Sequence, residues 1–481
     1  MLFSTRLQGN DEGGNTKTLA DRGVTSSIVK GGISTTVVAD RAVSALRGTG
    51  KLAMAHGACC TSRTDCCVVG GGPAGLMLAL LLARRGVRVT LLEAHWHFDR
   101  EFRGNTINPS AMEILARLDL AEGVLGLRHA KVRRFTIQAG ERRETFADFS
   151  RLKIPYPYIL MLPQARFLEF VVAEAERYPN FRLVMGARVR ELILDDGVIR
   201  GVRYKGEDGT HEVRARLTVG TDGRFSRLRR LAGLEASTAG CSPPMDVFWF
   251  NLPREAGDPE DAGAVFRCGR GSLLALMDHF EHWQVGYIIP KGHYARLKEA
   301  GLPELRRSVA ALAPEFADRV GTLREWGEGS LLSVESDRLR RWYRPGLLLL
   351  GDAAHVISPV GGIGINLAIQ DAVVAANVLA DPLRKGRLRE RHLRSVQRRR
   401  EPSTRLIQAA QGLAQRWVVA AVLDPERSHY KLPPLLRLLL RAPVLRDLPA
   451  RLIAYGAWTV RVKEGPNLGT MPVRSSLPAR R

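Results

Sequence analysis

Apolar residues along this chain fall into two kinds of pattern. Short, nearly continuous runs, Cys66–Val69, Val87–Leu92 and Leu347–Leu350, read as strands buried on both faces. The segment LMLALLLARR after Gly75 and the segment INLAIQDA from Ile365 read as helices, each directly behind a glycine-rich stretch. Between them lie runs that read as antiparallel strands: Arg134–Gln138, Val247–Leu252, Ala264–Phe266, Leu273–Met277 and Trp283–Ile289. The pattern predicts an α/β protein in which a parallel-sheet domain is interrupted by an antiparallel one.

The first strand, turn and helix carry GGGPAG. Gly70 permits the tight turn, Gly72 lets backbone amides approach an anion, and Gly75 allows the helix to pack closely on the strand. Pro73 suits the first helical turn, where its missing N–H costs little, and Ala74 follows it. The run Val87–Leu92 ends in Glu93, an acid about 20 residues beyond the glycines, where a carboxylate accepts hydrogen bonds from ribose hydroxyls. Strand, turn, helix and acid in this order predict a dinucleotide site of the Rossmann type.

Two further motifs narrow the ligand: VGTDGRFSRLRRLAG from Val219 and LLLLGDAAHVISPVGGIGINLAIQDA from Leu347. With them the chain resembles the class A flavoprotein monooxygenases, the para-hydroxybenzoate hydroxylase-like family. That resemblance covers roughly residues 65–380. It implies FAD, with Asp222 and Gly223 beside the pyrophosphate and Gly351 and Asp352 on the ribityl chain. It also assigns Arg103, in FRGNTINPS, to the pyrophosphate and Gln164, in LMLPQARFLEFV, to a cofactor contact. The loop with Pro359, Gly361, Gly362 and Gly364, leading into a helix with Ile365 and Asn366, is read as meeting the flavin pyrimidine edge through backbone amides. Pro359, Gly361 and Gly362 are the candidates for the catalytic backbone. His355, inside GDAAH, is read as a structural neighbour of the cofactor. Met245, Phe248 and Phe250 are the candidate pocket walls, with ordinary core as their alternative.

The implied fold is a Rossmann-like FAD-binding domain (about 63–135, 160–235 and 335–380) interleaved with an antiparallel-sheet substrate domain (about 136–159 and 236–334), then a helical C-terminal tail, 381–481. The implied activity is an NADPH- or NADH-consuming monooxygenase. It transfers oxygen from dioxygen, through a flavin C4a-hydroperoxide, to a hydrophobic aromatic or polycyclic substrate of the secondary-metabolite kind, polyketide or quinolone, by hydroxylation or epoxidation. A flavin reductase without oxygen transfer and a flavin-fold binding protein without turnover are the alternatives. A flavin halogenase is disfavoured because Phe248-Trp249-Phe250-Asn251-Leu252-Pro253 lacks the paired tryptophans of the WxWxIP signature.

Charge changes the picture little. The chain has 72 Lys and Arg against 49 Asp and Glu, a net charge of +23, but the excess is arginine spread over segments without a nucleic-acid-binding motif. It reads as a solvated surface, or as attraction for an anionic nicotinamide phosphate cofactor or anionic membrane. Cys59, Cys60, Cys66 and Cys67 lack the spacing of a zinc site, Cys66 and Cys67 read as small buried residues, and Cys241 and Cys268 support no disulfide. No metal is expected. Residues 1–62 read as a disordered extension, with Met54 as a credible start. No run in the sequence is long enough to span a bilayer. The leucine- and arginine-rich tail fits either packing over the substrate cavity or lying on a membrane surface, and the protein is expected in the cytoplasm.

Overall fold

The computed structural model describes residues 61–98, 105–234, 236–237, 243–259, 263–269, 271–423 and 445–463. Five strands form the parallel centre of an eight-stranded sheet, in the order Leu347–Leu349, Thr210–Gly220, Thr61–Val69, Val89–Leu92, Phe181–Val184. One row of the register crosses all five: Leu348, Val219, Val68, Leu91, Leu183. Cys66 and Cys67 are wholly buried in Thr61–Val69, the middle strand of that row, as their apolar setting in the sequence predicts. The hairpin Arg188–Asp195 and Val198–Lys205 extends the sheet in antiparallel fashion, and was not anticipated from the sequence. Its residues alternate between exposed and buried, so its apolar signal is only half as dense as that of the central strands.

The helix Pro73–Arg84 follows the first strand and is buried from Ala74 to Ala83, held between the helices Gln164–Glu176 and Gly364–Arg384. Such all-round burial explains why its sequence is apolar all round rather than striped.

A second, seven-stranded sheet contains the strands expected between residues 134 and 289, each within one or two residues of its expected ends. They are Arg134–Ala139, Met245–Pro253, Ala264–Cys268, Leu273–Asp278 and His282–Pro290, with Arg142–Asp148 and Ser330–Ser333 at the edges. All neighbours are antiparallel except Ala264–Cys268 on Arg134–Ala139, which run parallel. One face packs on the helices Tyr294–Ala300 and Leu302–Leu312 through Phe248, Phe250, Leu274, Leu276, Val285 and Leu305. The other face looks towards the glycine loop of residues 359–364.

The region after residue 381 is helical where described. One helix, Glu390–Ala414, passes through Pro402, whose ring faces solvent, and ends in a π-helical turn, Gln415–Val419. The helix Leu448–Tyr455 buries Ala450, Ile453 and Ala454 against the sheet interior, so its apolar face is covered by protein. Among the described residues no helix is long and apolar enough to cross a membrane. The tail residues 424–444, on which the membrane-surface alternative largely rests, lie outside the described residues.

A buried ionic cluster joins these parts. Asp371, in the helix Gly364–Arg384, is fully buried; its Oδ2 accepts from the Gly351 amide at 3.1 Å and meets His355 Nε2 at 2.7 Å, while Oδ1 accepts from Arg400 Nε at 2.6 Å. Burial alone raises a carboxyl pKa, but here His355 and Arg400 outweigh it and hold Asp371 down at about 2. A carboxylate so depressed stabilises the fold above its ordinary pKa of 3.8, and that stabilisation is lost as pH falls towards 2. Asp371→Asn should therefore cost about 3–5 kcal/mol, the usual consequence of stranding a buried arginine. In denaturant titrations from pH 7 to pH 2, the gap between wild type and variant should close at the acid end; a constant gap would remove the ionic explanation.

Candidate functional site

The glycine turn after the first strand is shaped by two opposing demands. Gly70 adopts φ +107°, and a Cβ there would lie 2.5 Å from the Thr221 carbonyl oxygen; a Cβ on Gly75 would lie 2.0 Å from the Gly70 carbonyl oxygen. Those two positions are glycine because the protein itself fills the space. At Gly72, by contrast, a Cβ would meet nothing within 4 Å, and at Gly364 its nearest neighbour would be Ile357 at 4.0 Å. Both open glycines stand at helix N-termini that have no side-chain cap and no acid in the first turn. Open space beside uncapped helical N–H groups is the cradle that a diphosphate or an anionic ring edge requires. The donor set and the room therefore fit FAD.

Glu93 lies at the end of the second parallel strand, almost wholly buried. Its Oε2 accepts from the Gly71 amide at 2.6 Å, and its Oε1 accepts from the His95 amide at 3.0 Å and meets His95 Nδ1 at 2.7 Å. The acid thus clamps the turn as well as standing where a ribose would lie. Thr221 closes the other side, its hydroxyl within 2.8 Å of the Gly70 carbonyl and 2.9 Å of the Val69 carbonyl. Asp222 adjoins Gly70, but its carboxylate turns to its own helix, accepting from Ser226 Oγ at 2.5 Å, Arg227 N at 2.7 Å and Leu228 N at 3.0 Å. Burial raises its pKa against the pull of those bonds. Its direct role is capping Arg227–Leu231, while Gly223 follows at φ +79° with open space around it.

Gly351, at φ +58°, packs between Ala74 and Ala368: a Cβ on it would lie 3.5 and 3.6 Å from theirs. The glycine turn, the Gly351-Asp352 pair and the glycine-loop helix therefore meet at one point, with Asp352 partly buried in the single turn Gly351–Ala353. His355 is a structural member of the Asp371 cluster, as read from the sequence. The glycine loop is held from one side: Thr106 Oγ1 donates to the Gly362 carbonyl at 2.8 Å, and Asn366 Nδ2 donates to the same carbonyl at 3.3 Å. Asn366 Oδ1 accepts from the Asn108 amide at 2.8 Å, so Asn366 is a loop fastener, with Ile365 beside it in the first helical turn. Gly362 cannot be replaced, since a Cβ would come within 2.7 Å of Thr106 Oγ1. Gly361 rests against Ile453 of the C-terminal helix, where a Cβ would be 3.5 Å from Ile453 Cγ1. Gln164 begins the helix Gln164–Glu176 and anchors it through its backbone N–H, which donates to Asn105 Oδ1 at 3.2 Å. Arg103 lies outside the described residues, as do Cys59, Cys60 and Cys241.

The pocket-wall expectation is corrected for two of its three residues. Met245 and Val247 lie on the strand face that shares a cluster with Val360 of the glycine loop, packed with partly buried Trp249, Phe266 and Met277. Phe248 and Phe250 point the other way, into the core against Tyr294 and Trp326. Side chains alternate along a strand, so Met245 and Phe248 cannot share a face. Trp249, missed by the sequence reading, lies flat over its cross-strand partner Gly286, where a Cβ would come within 2.8 Å of its ring. The signal that could have found it is its even spacing from Met245.

Substitutions can separate folding from cofactor binding. Gly75→Ala should destabilise the apoprotein, because backbone must shift to relieve a 2.0 Å contact. Gly72→Ala should leave the thermal unfolding of the apoprotein unchanged and weaken FAD binding about tenfold or more, equivalent to about 1.4 kcal/mol. Asp352→Ala should weaken FAD retention through lost hydrogen bonds worth about 1 kcal/mol each. Fluorescence titration with FAD and apoprotein melting distinguish the three; tight FAD binding by Gly72→Ala would refute the cradle.

Comparison with known proteins agrees with this geometry. Residues 63–410 match the family described as FAD binding domain. The chain is 38% identical over 408 residues to 6-methylpretetramide 4-monooxygenase of Streptomyces rimosus, covering 84% of this chain and 94% of that protein. Among solved structures, p-nitrophenol 4-monooxygenase from Pseudomonas putida DLL-E4 superposes with a TM-score of 0.67 at 22% identity, over 83% of this chain and 99% of that one. Anhydrotetracycline hydroxylase from Streptomyces rimosus has a TM-score of 0.64 at 24% identity, over 82% and 76%. These two share the fold. With its FAD cradle, its interleaved sheets and a relative of this identity along nearly its whole length, the chain belongs to the class A FAD-dependent aromatic monooxygenases.

Proposed function

We propose that this monooxygenase takes its electrons from NAD(P)H and inserts one oxygen atom of dioxygen into a polycyclic aromatic substrate of the pretetramide kind. Support for the substrate class comes from the 38% identity to a protein named for 6-methylpretetramide, sustained over 94% of that protein. The observation that carries the reading is the apolar wall of Trp249, Phe266 and Met277, partly buried and gathered with Val360 at the glycine loop. Such a wall suits a broad, flat, hydrophobic molecule better than a small polar one.

Bound FAD supplies the redox chemistry and oxygen activation. This chain's residues do the rest. The Gly72 and Gly364 helix termini direct N–H groups towards negative charge on the diphosphate and on the ring edge. Trp249, Phe266 and Met277 orient the substrate's face and keep water from the reacting atoms. The Gly361–Gly362 backbone, fastened by Thr106 and Asn366, would hold the ring edge of the bound cofactor.

The test is incubation of FAD-loaded protein with NADPH, oxygen-18 gas and a panel of polycyclic phenols, followed by mass spectrometry of the products. One labelled oxygen atom per product molecule is the expected result. Unlabelled or reduced products would favour the reductase alternative, and a flavin that NADPH never reduces would favour the binding protein. Trp249→Ala should raise KM for the accepted substrate about tenfold with FAD content unchanged, the scale of losing one buried aromatic contact.

A further inference from the structure

The C-terminal end of the helix Glu390–Ala414 and the turn after it carry three glutamines, Gln408, Gln411 and Gln415, on one face. All three point at the backbone that enters the glycine loop. Gln408 Nε2 donates to the Val356 carbonyl at 2.9 Å and to the Asp337 carbonyl at 2.8 Å. Gln411 Nε2 donates to the Ser358 carbonyl at 3.0 Å and the Val360 carbonyl at 2.7 Å, the two carbonyls that flank Pro359. Gln415 Nε2 donates to Ser358 Oγ, which in turn accepts from the Val360 amide at 3.3 Å. Gln408 and Gln411, three residues and about 4.5 Å apart along the helix, reach with flexible side chains the carbonyls of Val356, Ser358 and Val360, which are alternate residues of the chain. Side-chain amides at this spacing can therefore grip the carbonyls of alternate residues, much as a neighbouring strand would.

Ser358, Gln411 and Gln415 are all buried, so water cannot replace these bonds. The same rod continues into the π-helical turn, a form of helix that recurs at functional sites. Its last residue, Val419, and Val422 and Leu423 beyond it pack on Met245, Val247, Ala275 and Ile288 of the substrate sheet, in the cluster that includes Val360. One helix end thus touches both the loop and the sheet.

We propose that Gln411 and Gln415 are positioning residues: they set the Ser358–Val360 backbone against the flavin ring and tie its place to that of the substrate sheet. This rests on the reading that the Pro359–Gly364 loop meets the flavin. The bulk of the helix secures the fold; these two amides act on the cofactor through the loop.

The experiment compares FAD-reconstituted full-length Gln411→Leu, Gln415→Leu and Ser358→Ala with wild type, reading the FAD dissociation constant by fluorescence, the flavin visible absorption band and apoprotein melting. Gln397→Leu is the structural control, since Gln397 on the same helix binds the Trp342 amide and the Arg340 carbonyl, away from the loop. The expected result is a dissociation constant raised about tenfold with a displaced absorption band in Gln411→Leu, and neither change in Gln397→Leu. Gln415→Leu combined with Ser358→Ala should be no worse than Ser358→Ala alone, because the serine variant already removes the bond to Gln415 together with the one from the Val360 amide. If Gln411→Leu fails to fold, Ser358→Ala, a change of one buried atom, decides in its place. Gly364→Ala probes the underlying reading. If it weakens FAD binding while the glutamine and serine variants match wild type, the positioning role is overturned; if it too binds FAD normally, the placement of the loop at the flavin falls with it.

Discussion

Asp371 is a fully buried ion, and the arrangement of the cofactor site follows from how it is satisfied. Its two oxygens reach the Gly351 amide, His355 and Arg400. These come from the third flavin motif and from the long helix after it, so the cluster cannot form unless both are in place. A buried pair of this kind contributes little net stability compared with apolar packing, but breaking it is costly. It acts less as glue than as a gauge of position: only the geometry that places the Gly351-Asp352 pair beside Ala74 also neutralises the carboxylate.

The C-terminal helices are part of the site. Asn108 Nδ2 donates to the Ile453 carbonyl at 2.6 Å, Gln370 Nε2 donates to the Tyr455 carbonyl at 3.2 Å, and Tyr455 Oη donates to Glu113 at 2.5 Å. Burial and the Glu113 carboxylate push the Tyr455 phenol well up, which keeps it a donor. Each partner of Leu448–Tyr455 is a residue of the segments that fasten the glycine loop, and Ile453 itself rests on Gly361. Loop and tail are therefore held by neighbouring residues of the same segments, Thr106 and Asn108 on one side and Asn366 and Gln370 on the other, and a tail residue reaches the loop although the family match ends at residue 410.

The substrate sheet obeys a simpler constraint. Its alternating side chains divide a mostly apolar strand, Met245–Pro253, into a face that packs on helices and a face that meets the glycine loop. Its two polar residues, Asp246 and Asn251, fall on opposite faces, so polarity does not mark which is which. Only pairing with a known face, through Trp249 on Gly286 and Val360 across the gap, assigns the register.

The cofactor and the parallel core were legible in the sequence because they depend on local chemistry. A glycine required by a 2.0 Å approach, an acid at the end of an apolar run and a strand buried on both faces each leave a mark within a few residues. The strands of the second sheet were legible for the same reason. What only the tertiary structure decided joins residues far apart in the chain: Asp371 with Arg400, Asn108 with Ile453, Gln411 with Ser358, and Phe248 turned away from the glycine-loop side while Trp249 faces it. No periodicity encodes these pairings, since a glutamine on a helix or a phenylalanine on a strand is the same letter whichever partner the folded chain brings to it.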